Sequence, residues 1–297
     1  MIKKTMIFTF CLGLFYNLSL IFYPVNISIG QHQWQDNCIK AQEYLFQKKK
    51  YNSVIVGSSM STRIQTNSLH ERFYNLSFGG LSVYDGLNVL EDIDILPDTL
   101  FVEMNILFRM PDENFKMSQK NRFFFNIRKH ILIFQEKYQP SVYIGNYFTE
   151  FLGHSIIDPF SAFLFNPVIS KLQKILFVKK NSSNNTLNTK LYTSLIDDYN
   201  NAKNIALTRQ MLPTLFRYIE HFEKRGVKVS FFEMPMYEAI QNSAQMNFVR
   251  NSLKEKYIDS KNILIIPSPE YKDYTTTDGV HLDVASSKKF SKLFLSL

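Results

Sequence analysis

Residues 53–61, which read SVIVGSSMS, decide the fold of this chain. Their first part, Ser53–Val56, is apolar and β-branched and stops at Gly57, which is typical of a short strand buried on both faces. Four later runs have the same character: 72–76, 98–103, 227–232 and 262–266. Amphipathic helical patterns lie between the later strands at 203–225 and 236–256, and a final one follows the last strand at 283–296. The sequence therefore predicts an α/β fold in which about five parallel strands carry helices on both faces.

The stretch 106–200 departs from this alternation. It is dense in Phe and Tyr, carries a polar tract at 181–189, and is interrupted by Pro140, Pro159 and Pro167. We interpret it as a helical insertion or lid inside one domain that spans 31–297. For its aromatic residues at 122–165, packing into the core is the preferred interpretation, and an acyl-binding pocket or a segment that dips into a bilayer is the alternative.

The composition excludes several classes of protein. Hydrophobic residues make up 45% of the 297, enough for a real core and outside the range of disordered chains. The formal charge is +8, but the Lys and Arg residues are scattered and no nucleic-acid motif accompanies them. The His residues lack metal-ligand spacing, and Cys11 and Cys38 are not expected to pair. We expect no nucleic-acid partner, no metal and no cofactor.

Residues 1–30 have the pattern of a membrane anchor. Lys3 and Lys4 precede an uncharged run, Thr5–Tyr23, which is just long enough to cross a bilayer. The following residues offer only a poor cleavage site, which favours a retained anchor over a cleaved signal peptide. Basic residues before the run place the N-terminus in the cytoplasm and the rest of this single-pass chain outside it. A buried core helix is the alternative.

Polar residues and glycines follow the predicted strands at the edge of the sheet where ligands bind in such folds. Ser59 follows the first strand, where a sharp turn exposes a hydroxyl at a helix start. Gly80 follows the second strand and offers a backbone N–H, and Asn105 follows the third and offers a side-chain amide. Asp278 and His281 lie before the last helix, where the spacing of three lets the carboxylate orient the imidazole.

Together these residues resemble the SGNH/GDSL hydrolase superfamily, whose blocks contribute Ser, Gly, Asn and His. The resemblance covers roughly 50–110 and 226–297 and implies a three-layer α/β/α, flavodoxin-like fold. It also implies a catalytic triad of Ser59, Asp278 and His281. The oxyanion hole would be formed by the N–H groups of Ser59 and Gly80 and by the Asn105 amide.

The sequence departs from the family pattern in two of these blocks. Gly57-Ser58-Ser59 stands in place of Gly-Asp-Ser, and Asn105 lacks the Gly and Asp that usually flank it. With an N-terminal anchor, this looks like the branch that modifies extracytoplasmic polymers, such as exopolysaccharide O-acetyltransferases and the D-alanylation protein of teichoic acid synthesis. That branch typically works beside a multi-spanning membrane acyltransferase.

The resemblance therefore implies an acyl-ester hydrolase or O-acyltransferase that acts on an envelope polysaccharide. A lipid esterase or thioesterase, and a non-catalytic scaffold that holds polymer, are the alternatives.

Some assignments stay open at this point. Gly79 is close enough to take the place of Gly80. Asp283 is an alternative orienting acid, less favoured because it follows the histidine and falls inside the last helix. Asp85 and Glu103 would reach the site only if their loops turn inward, and a solvated or structural role is preferred for both.

Overall fold

The computed structural model describes residues 2–22, 32–47, 49–66, 72–142 and 184–296. The chain divides into two compact units. The N-terminal unit consists of Met1–Phe46 and Gln119–Thr186, and the sheet unit consists of Gln47–Ser118 and Leu187–Leu297.

The sheet unit is built on five parallel strands: β1 (Ser53–Val56), β2 (Phe73–Asn75), β3 (Thr99–Glu103), β4 (Lys228–Phe232) and β5 (Ile263–Ile265). Their order across the sheet is β2-β1-β3-β4-β5, and every neighbouring pair is parallel. The prediction of an α/β fold with a parallel sheet of about five strands is therefore confirmed. Parallel strands end at the same edge, so the residues that follow β1, β2 and β3 are brought together there.

The helices are α1 (Ile2–Phe22), α2 (Gln33–Phe46), α3 (Val83–Glu91), α4 (Glu113–Lys120), α5 (Arg122–His130), α6 (Asn184–Asn200), α7 (Ala202–Lys224), α8 (Glu238–Gln241), α9 (Ala244–Tyr257) and α10 (Val284–Phe294). The single helix expected over 236–256 is divided into α8 and α9. The side chain of Ser243 accepts a hydrogen bond from the Met246 N–H and so caps the start of a new helix.

The expected insertion at 106–200 is described only in part. Its described residues contain α4, α5 and α6, with 3₁₀ turns at Leu132–Phe134 and Glu136–Tyr138. Residues 143–183, with much of the expected acyl pocket or lid, lie outside the described part of the chain. The lid stays a prediction.

Helix α3 is fixed directly against the sheet. A Cβ atom on Gly86 would lie 2.9 Å from the Cβ and Cγ1 atoms of Val56 and 3.3 Å from the Leu76 carbonyl oxygen. At the start of α3, Asp85 Oδ2 accepts hydrogen bonds from the backbone N–H and the hydroxyl of Ser82, at 2.8 and 2.7 Å. Burial raises the pKa of Asp85 because it outweighs these hydrogen bonds. Through its hydrogen bonds with Ser82, Asp85 completes a capping box at the start of α3.

The close approach at Gly86 gives a test of the packing of the sheet unit. In an exposed helix interior, Gly→Ala stabilises a protein. Here Gly86→Ala is expected to lower the free energy of unfolding by about 1–3 kcal/mol, because the new methyl group forces α3 away from β1. Denaturant unfolding measures the change, with the exposed Glu255→Ala on α9 as the control that should alter it little. An increase in stability for Gly86→Ala would contradict this packing.

Candidate active site

Ser59 lies in the turn that follows β1. The backbone N–H of Thr62 donates to the Ser58 carbonyl at 3.2 Å, and that of Arg63 donates to the Met60 carbonyl at 3.1 Å, which closes the turn tightly. Ser58 and Met60 are buried, whereas Ser59 is partly exposed. Of the two consecutive serines, only Ser59 is accessible to solvent.

Asp278 and His281 are held in a narrow loop before α10. Thr276 and Leu282 form an antiparallel bridge across its base, and the Thr277 N–H donates to the His281 carbonyl at 2.8 Å. Gly279 at its tip has a φ of +99°, a conformation that L side chains rarely adopt. The local chain thus sets the positions of both side chains.

The structure brings the three predicted triad residues together. The Nδ1 atom of His281 lies 2.6 Å from Asp278 Oδ2, and its Nε2 atom lies 2.8 Å from the Ser59 hydroxyl oxygen. A carboxylate only accepts hydrogen bonds, so Nδ1 carries the proton and Nε2 is left to accept from the serine. This tautomer is the one a general base needs to take the hydroxyl proton.

The charge on Asp278 favours the same arrangement. Partial burial opposes its ionisation, but the hydrogen bonds from the backbone N–H groups of His281 and Val280 and from the His281 ring outweigh burial. The pKa of Asp278 is therefore below the usual range for an aspartate, and the side chain is a carboxylate at neutral pH. An ionised Asp278 stabilises the imidazolium that forms when His281 takes a proton.

Two backbone N–H groups in the loops that follow β1 and β2 are available to a ligand. The N–H groups of Ser59 and Gly80 have no acceptor within the described part of the chain. Gly80 is exposed and has a φ of 71°, so its backbone adopts a shape that suits glycine. Free N–H groups of this kind stabilise the oxyanion of an acyl-transfer intermediate.

Asn105, the third expected oxyanion donor, has a different set of partners. Its side chain is fully buried and pairs with the backbone of Met234. The Oδ1 atom accepts from the Met234 N–H at 2.8 Å, and Nδ2 donates to the Met234 carbonyl at 3.0 Å. This pairing joins the end of β3 to the chain after β4. The oxyanion role of Asn105 stays a prediction.

Asp283, the alternative orienting acid, is occupied elsewhere. Its side chain accepts from the Ser286 N–H at 2.7 Å and caps the start of α10. Asp278 is therefore the carboxylate that contacts His281. Within the described ranges, no group of three or more His, Cys, Asp and Glu side chains is arranged to hold a metal ion.

For Glu103 the sequence favours a solvated or structural role, and the structure gives it a structural role directly beside Ser59. It lies at the end of β3 and is 1% exposed. Its Oε2 atom accepts from the Ser58 N–H at 2.8 Å and its Oε1 atom from the Ser58 hydroxyl at 2.8 Å. The backbone N–H and the hydroxyl of Ser61 also donate to Oε2. A single buried carboxylate thus fixes the turn on both sides of Ser59.

This network extends to the second strand and depends on a glycine. The Ser61 hydroxyl lies 2.8 Å from the hydroxyl of Ser77, which follows β2. A Cβ atom on Gly57 would lie 2.7 Å from Glu103 Cβ and would also overlap the Glu103 carboxylate and the Ser61 hydroxyl. The pairing of Gly57 with an acidic residue at the end of β3 is the sequence signal that marks this network.

Replacing the carboxylate of Glu103 tests its role in positioning Ser59. In Glu103→Gln an amide NH₂ group, itself a donor, faces the donors of Ser58 and Ser61. This change is expected to lower the free energy of unfolding by roughly 1–3 kcal/mol. It should also slow labelling of the folded protein by a fluorophosphonate, because the turn that carries Ser59 loses its anchor.

Glu233→Gln is the matched control. Glu233 is also buried, but it pairs with Arg250 at 2.7 Å and has no part in the turn. Its replacement should lower stability and leave the labelling rate of the folded protein unchanged. Equal labelling rates for the two variants would contradict the positioning role of Glu103.

Comparison of the chain with protein-family models, with curated proteins and with solved structures gives no match. The functional assignment therefore depends on the residues and their geometry.

Proposed function

We propose that this protein is a serine-dependent acyl-ester hydrolase or O-acyltransferase of the SGNH type, with Ser59 as its nucleophile. The observation that carries the proposal is the continuous line of hydrogen bonds from Asp278 through the His281 ring to the Ser59 hydroxyl, at 2.6 and 2.8 Å. The strand order also supports it, because 2-1-3-4-5 is the order of flavodoxin-like sheets.

The first half of the reaction acylates the serine. His281 Nε2 takes the proton of the Ser59 hydroxyl as the oxygen attacks the carbonyl carbon of the acyl ester. The carbonyl oxygen becomes an oxyanion that accepts hydrogen bonds from the N–H groups of Ser59 and Gly80. The C–O bond of the ester then breaks, the imidazolium gives its proton to the departing alkoxide, and the acyl group remains on Ser59.

The second half releases the acyl group. A hydroxyl of water or of a sugar gives its proton to His281 Nε2 and attacks the acyl-enzyme carbonyl, and Ser59 recovers the proton as it leaves. Partial exposure of the triad supports an acceptor from outside the fold, since the His281 and Asp278 side chains are 24% and 31% exposed. Both water and a sugar hydroxyl on a polymer come from outside the fold and are therefore the proposed acceptors.

The proposed location is the outer face of a membrane, with a polysaccharide of the cell envelope as the substrate. Helix α1 is long and apolar enough to span a bilayer, and Lys3 and Lys4 lie at its N-terminal end. The resemblance to polymer-modifying members of the SGNH group supports the substrate class. A multi-spanning acyltransferase that supplies the acyl group is part of the same proposal.

Substitution of the two neighbouring serines, Ser58 and Ser59, tests which of them is the nucleophile. Ser59→Ala is expected to lower fluorophosphonate labelling roughly 10³-fold or more, because it removes the attacking hydroxyl. Ser58→Ala should still be labelled, because its hydroxyl is buried against Glu103. Labelling that survives in Ser59→Ala and disappears in Ser58→Ala would overturn the assignment.

Hydrolysis of an activated ester such as p-nitrophenyl acetate tests the roles of His281 and Asp278. His281→Ala should be nearly as damaging as Ser59→Ala, and the double variant little worse than either, because the residues act as a unit. Asp278→Asn should cost less than His281→Ala. Asp283→Asn is the control: asparagine caps a helix as well as aspartate does, so turnover should stay close to that of the unaltered protein. Full turnover in His281→Ala would end this account.

A further inference from the structure

Helix α5 in the N-terminal unit has two opposite faces. On a helix with 3.6 residues per turn, Phe123, Phe124 and Ile127 fall on one side, whereas Arg122, Asn126 and Lys129 fall on the other. Phe123 and Phe124 are 68% and 52% exposed, although they are among the most apolar side chains available. Two apolar residues in the next turns, Ile131 and Phe134, are exposed as well. We call these five apolar residues the α5 face.

The α5 face is held in place by the rest of its unit. Phe125, between the two sides of the helix, packs against Phe46 of α2 with ring centroids 5.3 Å apart. The Asn121 side chain accepts hydrogen bonds from the N–H groups of Phe123 and Phe124 and caps the helix. The aromatic side chains are therefore presented outward by an ordered helix.

The chain directly after α5 is bonded to the proposed membrane span. The Ile133 N–H donates to the Asn17 side chain at 3.1 Å, and the Tyr16 hydroxyl donates to the Tyr138 carbonyl at 2.9 Å. These contacts occupy polar residues of α1 that would otherwise face lipid. Asn17 lies five residues before the end of α1 at Phe22, which corresponds to roughly 7.5 Å along a helix. Since 21 helical residues span about the hydrocarbon thickness, a span that ends at Phe22 would place Ile133 within roughly 7.5 Å of the outer boundary of that layer.

The charge of this segment fits a lipid surface. Residues 119–135 contain four Lys and Arg residues and no Asp or Glu. The Arg128 guanidinium lies over the Phe124 ring, 5.9 Å from its centroid, so this side chain covers part of the apolar surface. A helix with aromatic residues on one side and basic residues on the other is the form that binds in the interface of an anionic bilayer.

We propose that the α5 face inserts into the outer interface of the bilayer that α1 crosses, with Arg122 and Lys129 on the other side of the helix against anionic phospholipid head groups. The proposal rests on the membrane anchor of the preceding section. It assigns the N-terminal unit a second membrane contact that holds the unit against the lipid surface.

The test uses the full-length chain in vesicles of phosphatidylcholine and phosphatidylglycerol, with or without bromine near the head-group end of the acyl chains. Trp34 is the single tryptophan, so Trp34→Phe provides a background into which one tryptophan is placed at a time. In that background, Phe124→Trp should lose about half of its emission or more in brominated lipid, because the α5 face lies at that depth. Asn126→Trp, on the opposite side of the same helix, should change little.

Phe15→Trp, in the same background, reports on the membrane anchor alone, because Phe15 is exposed on α1. It therefore distinguishes failure of this inference from failure of the anchor. Quenching at 15 without quenching at 124 would overturn the inference and leave the anchor standing. No quenching at either position would overturn both, whereas ester turnover by the same variants reports on Ser59 independently. A tryptophan at 124 that neither brominated lipid nor aqueous iodide quenches would show that protein, such as a second copy, covers this face, and would overturn the inference too.

The contact of the basic residues with anionic head groups is tested separately. Arg122→Glu with Lys129→Glu should weaken quenching at position 124 in vesicles that contain phosphatidylglycerol, because like charges then face each other. Unchanged quenching in those vesicles would overturn the role given to anionic head groups.

Discussion

The site depends on one buried carboxylate. Glu103 accepts four hydrogen bonds from Ser58 and Ser61, on either side of Ser59, and through Ser61 it is linked to Ser77 after the second strand. A charge in a protein interior is costly unless it is hydrogen-bonded, so the turn and the carboxylate stabilise each other. The ends of three neighbouring strands are thereby joined beneath the nucleophile, and Gly57 is required because any side chain there would occupy the same space.

The remaining parts of the site are rigid for a simpler reason. The residues next to the reactive groups, Met60 beside Ser59 and Val280 and Leu282 on either side of His281, belong to one buried apolar cluster. Close packing allows such residues little freedom, so the serine and the imidazole are held in place without a ligand. Preorganisation of this kind lets hydrogen bonds act on the transition state without reorganisation during the reaction. The exposed side of the three residues is then open to the proposed substrate.

Much of this arrangement could be predicted from local sequence. The apolar runs that end at Gly57 and Glu103 predict strands, and Asp278 and His281 are placed by a loop of a few residues. Contacts between residues that are distant in sequence are harder to predict. Nothing in the sequence near Asn105 indicates that its amide pairs with Met234, because that contact depends on strand order. For Glu103 the sequence leaves an inward turn as the less favoured alternative, and the pairing of β1 with β3 brings its carboxylate to Ser58. The apolar pattern of residues 236–256 continues across Ser243, so it gives no sign that the helix is divided there.

The proposed chemistry depends on a single oxygen atom, that of the Ser59 hydroxyl. A crystal structure of the protein after reaction with a fluorophosphonate tests that claim most directly. The account predicts phosphorus bonded to Ser59 Oγ, with the phosphoryl oxygen accepting hydrogen bonds from the N–H groups of Ser59 and Gly80 and with His281 still held by Asp278. Phosphorus bonded to another residue, or a phosphoryl oxygen that meets neither N–H group, would contradict it.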